Sequence, residues 1–176
     1  MTAQPMSLTQ LLFSFKGRIR RLHWWVASLA AGGVAAIAMA ILEAAARASG
    51  HAIIDPETQQ FEPTGLFGLA MSAVGLVNMW IGFALSVKRL HDRDRSGWWL
   101  VWQLLIVVLA TILIVVAIAV PKEQGALWYA LAGAASLAAL AISLWLIVQI
   151  GFLKGTQGPN RFGPDPLGAA RDDAQL

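Results

Sequence analysis

Four long apolar stretches, roughly Trp24 to Ala46, Leu66 to Val87, Trp98 to Val120 and Ala126 to Leu153, dominate this chain. Each exceeds the ~20 residues that a helix needs to cross the hydrocarbon of a bilayer, where every backbone N–H and C=O must be satisfied internally. The sequence therefore predicts an all-α, polytopic membrane protein: four transmembrane helices in an antiparallel bundle, spanning about residues 24–46, 66–87, 98–120 and 126–153. With 57% hydrophobic and 13% charged residues over 176 positions, little chain is left for a soluble domain, so residues 1–176 are read as one membrane domain.

Four crossings put both termini on one side, and the basic residues say which. The N-terminal segment holds four Lys or Arg, the middle loop four (Lys88, Arg89, Arg93, Arg95) and the tail three (Lys154, Arg161, Arg171), whereas the two opposite loops hold only Arg47 and Lys122. The positive-inside bias places the N and C termini and the middle loop in the cytoplasm. The same asymmetry accounts for an isoelectric point near 9.8, which in a soluble protein would suggest nucleic acid; no nucleic-acid partner is expected here. The cytoplasmic side carries a net charge of +6 and can meet a bilayer with anionic phospholipid headgroups. With no Cys in the chain, disulfides, thiolate metal sites and thiol catalysis are excluded. The first apolar run exceeds the ~7 to 15 residues of a signal-peptide core and has a long leader, so it is read as an uncleaved helix.

Before the first span, Ser7-Leu8-Thr9-Gln10 has the form of a capping box, and Leu8, Leu11, Leu12 and Phe15 fall on one helical face. Residues 7–22 are read as a short amphipathic helix at the interface, with Lys16, Arg18, Arg20 and Arg21 at headgroup level. Trp24, Trp25, Trp98, Trp99 and Trp102 mark the inner boundary and Trp128 and Tyr129 the outer one, as amphipathic rings prefer. The loop Arg47 to Gly65 is read as a polar connector, the Pro121 to Gly125 loop as the turn of a helical hairpin, and residues 154–176 as a Gly/Pro-rich cytoplasmic tail. Small residues recur along the second helix (Gly68, Ser72, Gly75, Gly82, Ser86) and the first (Gly32, Ala36, Ala40, Ala44), predicting that these two pack closely. The third helix, with few small residues, is expected to be the most lipid-exposed, and the fourth offers Ala130, Ala134 and Ala138 on one stripe.

Deep in the spans there is no Lys, Arg, Asp, Glu or His, and Glu43 lies near the outer end of the first helix. Proton-coupled transporters place such groups in the membrane because the groups carry the coupling, and the paired Gly/Pro interruptions of a transporter's midplane site are missing as well. Asn78, midway along the second helix, is read as an interhelical hydrogen bonder; the alternative of a small-solute transporter or channel would run past it and Glu43.

The polar residues that could carry a function form three cytoplasmic clusters: Phe13 to Trp25, Lys88 to Trp99 and Gly155 to Pro166. Within them Gly17, Arg18, Arg21, Arg89, His91, Asp92, Ser96, Gly97, Trp98, Asn160, Arg161, Phe162, Gly163 and Asp165 are the candidate site residues, either as a structural clasp or as a ligand or partner site. Asp92, Asp94 and Asp165 can pair with Arg18, Arg21, Arg89 or Arg161. His91 beside Asp92 is a conceivable acid/base pair, but adjacent loop residues point apart and neither nucleophile nor metal-ligand spacing accompanies them, so no catalytic residue, metal or cofactor is assigned.

At these clusters the chain resembles the bacterial inner-membrane proteins grouped as domain of unknown function 805, the YhaH-like proteins among them. The family pattern Phe-x-Gly-Arg-x-x-Arg followed by an aromatic pair is matched by Phe15, Gly17, Arg18, Arg21 and Trp24-Trp25. Arg-Leu-His-Asp-x-x-x-Ser-Gly-Trp is matched by Arg89 to Asp92 and Ser96 to Trp98, and Gly-x-x-Gly-x-Asn-x-Phe-Gly-x-Asp-Pro by Gly155, Gly158, Asn160, Phe162, Gly163, Asp165 and Pro166. His23 departs from the acidic residue often found there. The resemblance implies a multi-pass location in the bacterial inner membrane and no activity. The function expected is non-enzymatic, a basic cytoplasmic face that binds anionic headgroups or a membrane-protein partner, with self-association through the small-residue seams.

Overall fold

The computed structural model describes residues 6–54, 61–121, 123 and 125–167. Residues 168–176 of the predicted tail, Pro56 in the first loop and Lys122 lie outside the described residues. The elements are α1 (Leu8–Phe13), α2 (Arg21–Ala48), β1 (Ala52–Ile54), β2 (Phe61–Pro63), α3 (Gly65–Asp92), α4 (Trp98–Ala119) and α5 (Ala126–Ile147), which runs into a π turn (Val148–Phe152). Among the described residues four helices are long and apolar enough to cross a membrane. The 28 residues of α2 and of α3 each reach about 42 Å at ~1.5 Å per residue, ample for a hydrocarbon core of ~30 Å. Leu29, Val34, Ile37 and Ile41 of α2 and Leu105, Val108, Ile112 and Val115 of α4 all point outward, a display of apolar surface that lipid can cover and water cannot.

The chain divides into two compact units. One holds α1, the strands and the chain from Leu22 to Leu85. Its first element is short: Ser7 Oγ accepts the Gln10 N–H and Gln10 Oε1 accepts the Ser7 N–H, the reciprocal capping box, but the helix stops at Phe13. The expected helix over 7–22 is thus limited to one and a half turns, because the chain from Ser14 onward is extended and Gly17 sits at φ 94°, a value open to glycine. Phe15 instead packs edge-on against Trp80, whose Nε1 donates to the Phe13 carbonyl.

At its far end α2 closes with paired bonds, His51 N to Ala46 O and Gly50 N to Arg47 O, around Gly50 at φ 71°. This Schellman arrangement uses up carbonyls that the helix end would orphan. The connector that follows carries a feature the sequence reading did not include, a two-stranded antiparallel ladder pairing Ala52 with Pro63 and Ile54 with Phe61. The Thr64 N–H and hydroxyl both donate to the His51 carbonyl and close the ladder next to α3. The expected glycine-lined contact of α2 with α3 is not formed. A Cβ at Gly32, Gly33 or Gly82 would meet nothing within 4 Å, and one at Gly75 would meet only the tip of Met39 at 3.8 Å.

The second unit holds Lys16–Arg21 and the chain from Ser86 onward. Here α4 and α5 form the hairpin expected from the brief Pro121–Gly125 connection, and small residues do line its contact: Ala110 and Ala117 of α4 and Ala132 of α5 are buried. The third span is therefore a packed member of the unit, because two of its alanines lie seven apart on one face. The inward stripe of α5 runs through Ala132 and Leu146, and Ala130, Ala134 and Ala138 are exposed. Gln103 Nε2 donates to Ser143 Oγ at 2.6 Å and to the Ala139 carbonyl at 3.3 Å, and Ser143 Oγ donates in turn to the Ala139 carbonyl. The interhelical hydrogen bond foreseen at Asn78 is found here instead. Asn78 is half-buried and its side chain makes no hydrogen bond among the described residues.

Gln103 Oε1 is buried without a partner among the described residues, so Gln103→Leu removes an orphan along with a bond and is expected to cost less than ~1 kcal/mol. Ser143→Ala strips the amide of its shorter contact and leaves the orphan in place, so it should cost more, and the double variant should recover most of that loss. Thermal unfolding in detergent gives the ranking; Gln103→Leu proving the worse of the two would overturn it.

Candidate functional site

The second predicted boundary is where the structure departs most from the sequence reading. Residues Lys88 to Asp92 are not loop but the last turns of α3, and Lys88, Arg89, Leu90 and Asp92 are buried. Nothing in Lys-Arg-Leu-His-Asp breaks a helix, and the charges of Arg89 and Asp92 are sheltered by partners from elsewhere in the chain. The helix ends in a second Schellman arrangement, Arg95 N to Leu90 O and Asp94 N to His91 O, this time around a non-glycine residue, Asp94, at φ 55°. Aspartate is one of the few side chains that tolerates this conformation.

Asp92 is the hub. Its Oδ1 accepts from Arg18 Nε at 3.2 Å and Nη2 at 3.1 Å, and its Oδ2 accepts from Arg89 Nη1. The Arg18 and Asp92 side chains are only 1% and 5% exposed, which makes this a buried triad. Its surplus positive charge is shared with carbonyl dipoles: Arg18 also donates to Gly158 O at 2.8 Å, Gly163 O at 3.2 Å and Thr156 O at 2.7 Å, so each of its N–H groups has an acceptor. The Asp92 backbone carbonyl takes the Thr156 N–H and hydroxyl.

Arginines also cover the end of the last span. The π turn frees the carbonyls of Ile150, Phe152 and Leu153, which accept from Arg89 Nε, Arg21 Nη1 and Arg89 Nη2 respectively, and Arg93 Nη1 donates to the next one, Lys154 O. A helix C-terminus concentrates partial negative charge, and four guanidinium contacts offset it. Burial lowers the Arg93 guanidinium below its ordinary value, with Arg95 adding to the fall and Asp92 opposing it; the group still stays charged near neutrality.

The tail is folded by its own polar residues. Asn160 Oδ1 accepts the Phe162 N–H, Asn160 and Gly163 exchange backbone bonds with Gly163 at φ 138°, and Asp165 accepts from the Gly158 and Leu167 N–H groups. The loop is pinned to α3 by Asn160 Nδ2 on His91 O at 2.9 Å, by Phe162 stacked on the His91 ring at 3.8 Å, and by Arg161 paired with Asp94 at 3.1 Å. His91 Nδ1 lies 3.3 Å from the Gly17 carbonyl, which requires that nitrogen to carry the proton. Gly155 has no room for a side chain, since a Cβ there would collide with the Asp92 carboxylate.

Of the predicted site residues, Gly17, Arg18, Arg21, Arg89, His91, Asp92, Asn160, Arg161, Phe162, Gly163 and Asp165 converge in this assembly. Ser96 and Gly97 serve the start of α4 instead: Ser96 Oγ accepts the Trp98 N–H, and a Cβ on Gly97 would press on Val87 at 3.0 Å. Trp98 points away and is exposed. Thr156, Gly155 and the π-turn carbonyls are central yet were not singled out; Gly155 was visible as a motif position, whereas a carbonyl's role leaves no mark in the sequence. Among the described residues no three His, Asp or Glu side chains converge as a metal site would require.

The triad ranks the variants. Asp92→Ala strands two buried guanidiniums and should cost about 3 to 5 kcal/mol, with Arg18→Ala close behind. Arg161→Ala, at an exposed pair, should cost under ~1 kcal/mol. Thermal unfolding and membrane abundance read the order, and an Arg161 loss equal to that of Asp92 would remove the triad from its central place.

A family model described as Protein of unknown function (DUF805) matches residues 12–164, a stretch that includes the first two clusters and the third as far as Pro164. The chain is also 31% identical over 167 residues to the uncharacterized protein YiiR of Escherichia coli strain K12, covering 91% of this chain and 90% of that protein, and matches its Escherichia coli O157:H7 counterpart equally. No solved structure matches. With a matched clasp, four apolar helices and a relative aligned over nearly its whole length, the chain belongs to the domain of unknown function 805 family.

Proposed function

We propose that this is a non-enzymatic, multi-pass protein of the bacterial inner membrane, its termini and clasp on the cytoplasmic side, whose basic end holds anionic lipid headgroups. The observation that carries the reading is how the polar groups divide. Those with chemistry to offer are committed to one another: His91 to Phe162 and the Gly17 carbonyl, Asp92 to two arginines, Asn160 to the loop it folds. Beside them Arg21 and Lys154 are exposed at or next to helix ends, where hydrocarbon gives way to phosphate, and Lys16 is exposed in the connector between α1 and α2.

The test is retention of lipid by the purified protein. Native mass spectra from detergent, recorded after exposure to phosphatidylglycerol or phosphatidylcholine, should show anionic lipid retained in excess, and the excess should shrink severalfold between 50 mM and 500 mM salt as exposed charges are screened. A bare protein, or equal retention of the zwitterionic lipid, would overturn the reading.

A further inference from the structure

Beside the clasp lies a cavity of about 220 Å³ that none of the described residues fills. It is smaller than the ~300 Å³ at which pockets for drug-sized ligands begin, and so suits a headgroup rather than a whole small-molecule substrate. Arg20, Arg21, Arg89 and Lys154 supply four cations to its lining, and Asp92 and Asp165 two carboxylates, a net charge of +2. Neither carboxylate is a free repulsive group. Both Asp92 oxygens are engaged by Arg18 and Arg89, and both Asp165 oxygens accept backbone N–H groups. The negative end of the last span, which would otherwise repel an anion, is covered by the guanidiniums on Ile150, Phe152, Leu153 and Lys154. Arg21 uses Nη1 on the Phe152 carbonyl, and a guanidinium has further N–H groups to offer a second acceptor.

Resting on the headgroup reading above, we infer that this cavity is a binding site for a phosphate monoester, the headgroup of phosphatidic acid or its soluble counterpart. A monoester carries close to two negative charges at neutral pH, its second pKa lying at about 6, and so matches the net charge of the lining; a phosphodiester such as phosphatidylglycerol carries one and leaves the walls unbalanced. Arginines beside the opening can engage the phosphate oxygens bidentately, while Lys154 contributes a point charge. The chain positions favour a lipid as the source: Arg21 opens the first long helix and Lys154 lies two residues beyond the turn that ends the last.

Full-length protein in detergent is titrated with dioleoyl phosphatidic acid, phosphatidylglycerol and phosphatidylcholine, and separately with glycerol 3-phosphate and inorganic phosphate, with native mass spectrometry and thermal shift as readouts. Phosphatidic acid should bind roughly five- to tenfold more tightly than phosphatidylglycerol, the scale expected for one extra charge in a partly screened site. Lys154→Gln and Gln157→Glu change exposed side chains of the lining, should leave the melting temperature of the free protein unchanged, and should each abolish most of that preference. Lys16→Gln, an exposed cation outside the lining, should keep it within twofold. Displacement of the lipid by millimolar glycerol 3-phosphate or phosphate would support the site and make its ligand soluble, and no displacement would support a lipid. Equal binding of mono- and diester, or an equal loss in Lys16→Gln, would overturn the cavity site while leaving a diffuse basic surface; failure of every anionic lipid and phosphate to bind would overturn both.

Discussion

Everything at the polar end of this molecule depends on one buried carboxylate. Asp92 sits in the last turn of α3 with Arg18 on one oxygen and Arg89 on the other, and neither guanidinium could remain buried without it. Two cations against one anion would still leave a surplus charge. Backbone carbonyls of the tail share it on the Arg18 side, and the freed carbonyls of the π turn share it on the Arg89 side. The two structural problems solve one another: a last span that ends with exposed negative dipoles, and a triad with too much positive charge. The carbonyls involved lie at and just beyond the end of the last span, where no further helical turn takes them up.

The apolar spans were legible because length and hydropathy leave a chain few alternatives. Their ends were not. Lys88 to Asp92 read as loop, since charges in a membrane protein ordinarily sit in water, and only the distant Arg18 and the tail make it possible to keep them helical and buried. Small residues misled in a related way. The stripe on α3 was clear in the sequence, but its glycines meet almost nothing, whereas two well-spaced alanines are buried on α4. Gln103 was overlooked beside Asn78, although both are amides within apolar helices; which one finds a partner depends on the opposite helix, where Ser143 stands across from Gln103.

The clasp itself was legible as a set of residue types and not as a geometry. Sequence could place Arg18, Arg89 and Asp92 on one side of the membrane and note that they are chemically suited. It could not say that Asp92 would take both arginines, that Asp165 would turn inward to its own loop, or that Thr156 would tie the tail to the Asp92 backbone. Those choices follow from where the chain can turn. Gly17, Gly158 and Gly163 all adopt positive φ, and each bend delivers a carbonyl to Arg18 or to His91.

The cavity inherits its character from the clasp. Its lining includes the Arg89–Asp92 pair and Gly155, whose missing side chain is itself a demand of the Asp92 carboxylate. Arg21 belongs to both, holding the Phe152 carbonyl while lining the cavity. An anion bound there would therefore be linked to the fold: it would stabilise the assembled clasp by RT ln(1 + [L]/Kd), ~2.7 kcal/mol at a hundredfold excess over Kd, and by the same linkage any change that loosens the clasp would weaken the anion. A structural reading of the three clusters and a binding reading are then not rivals, because the residues that hold the tail against α3 also build the walls of the site.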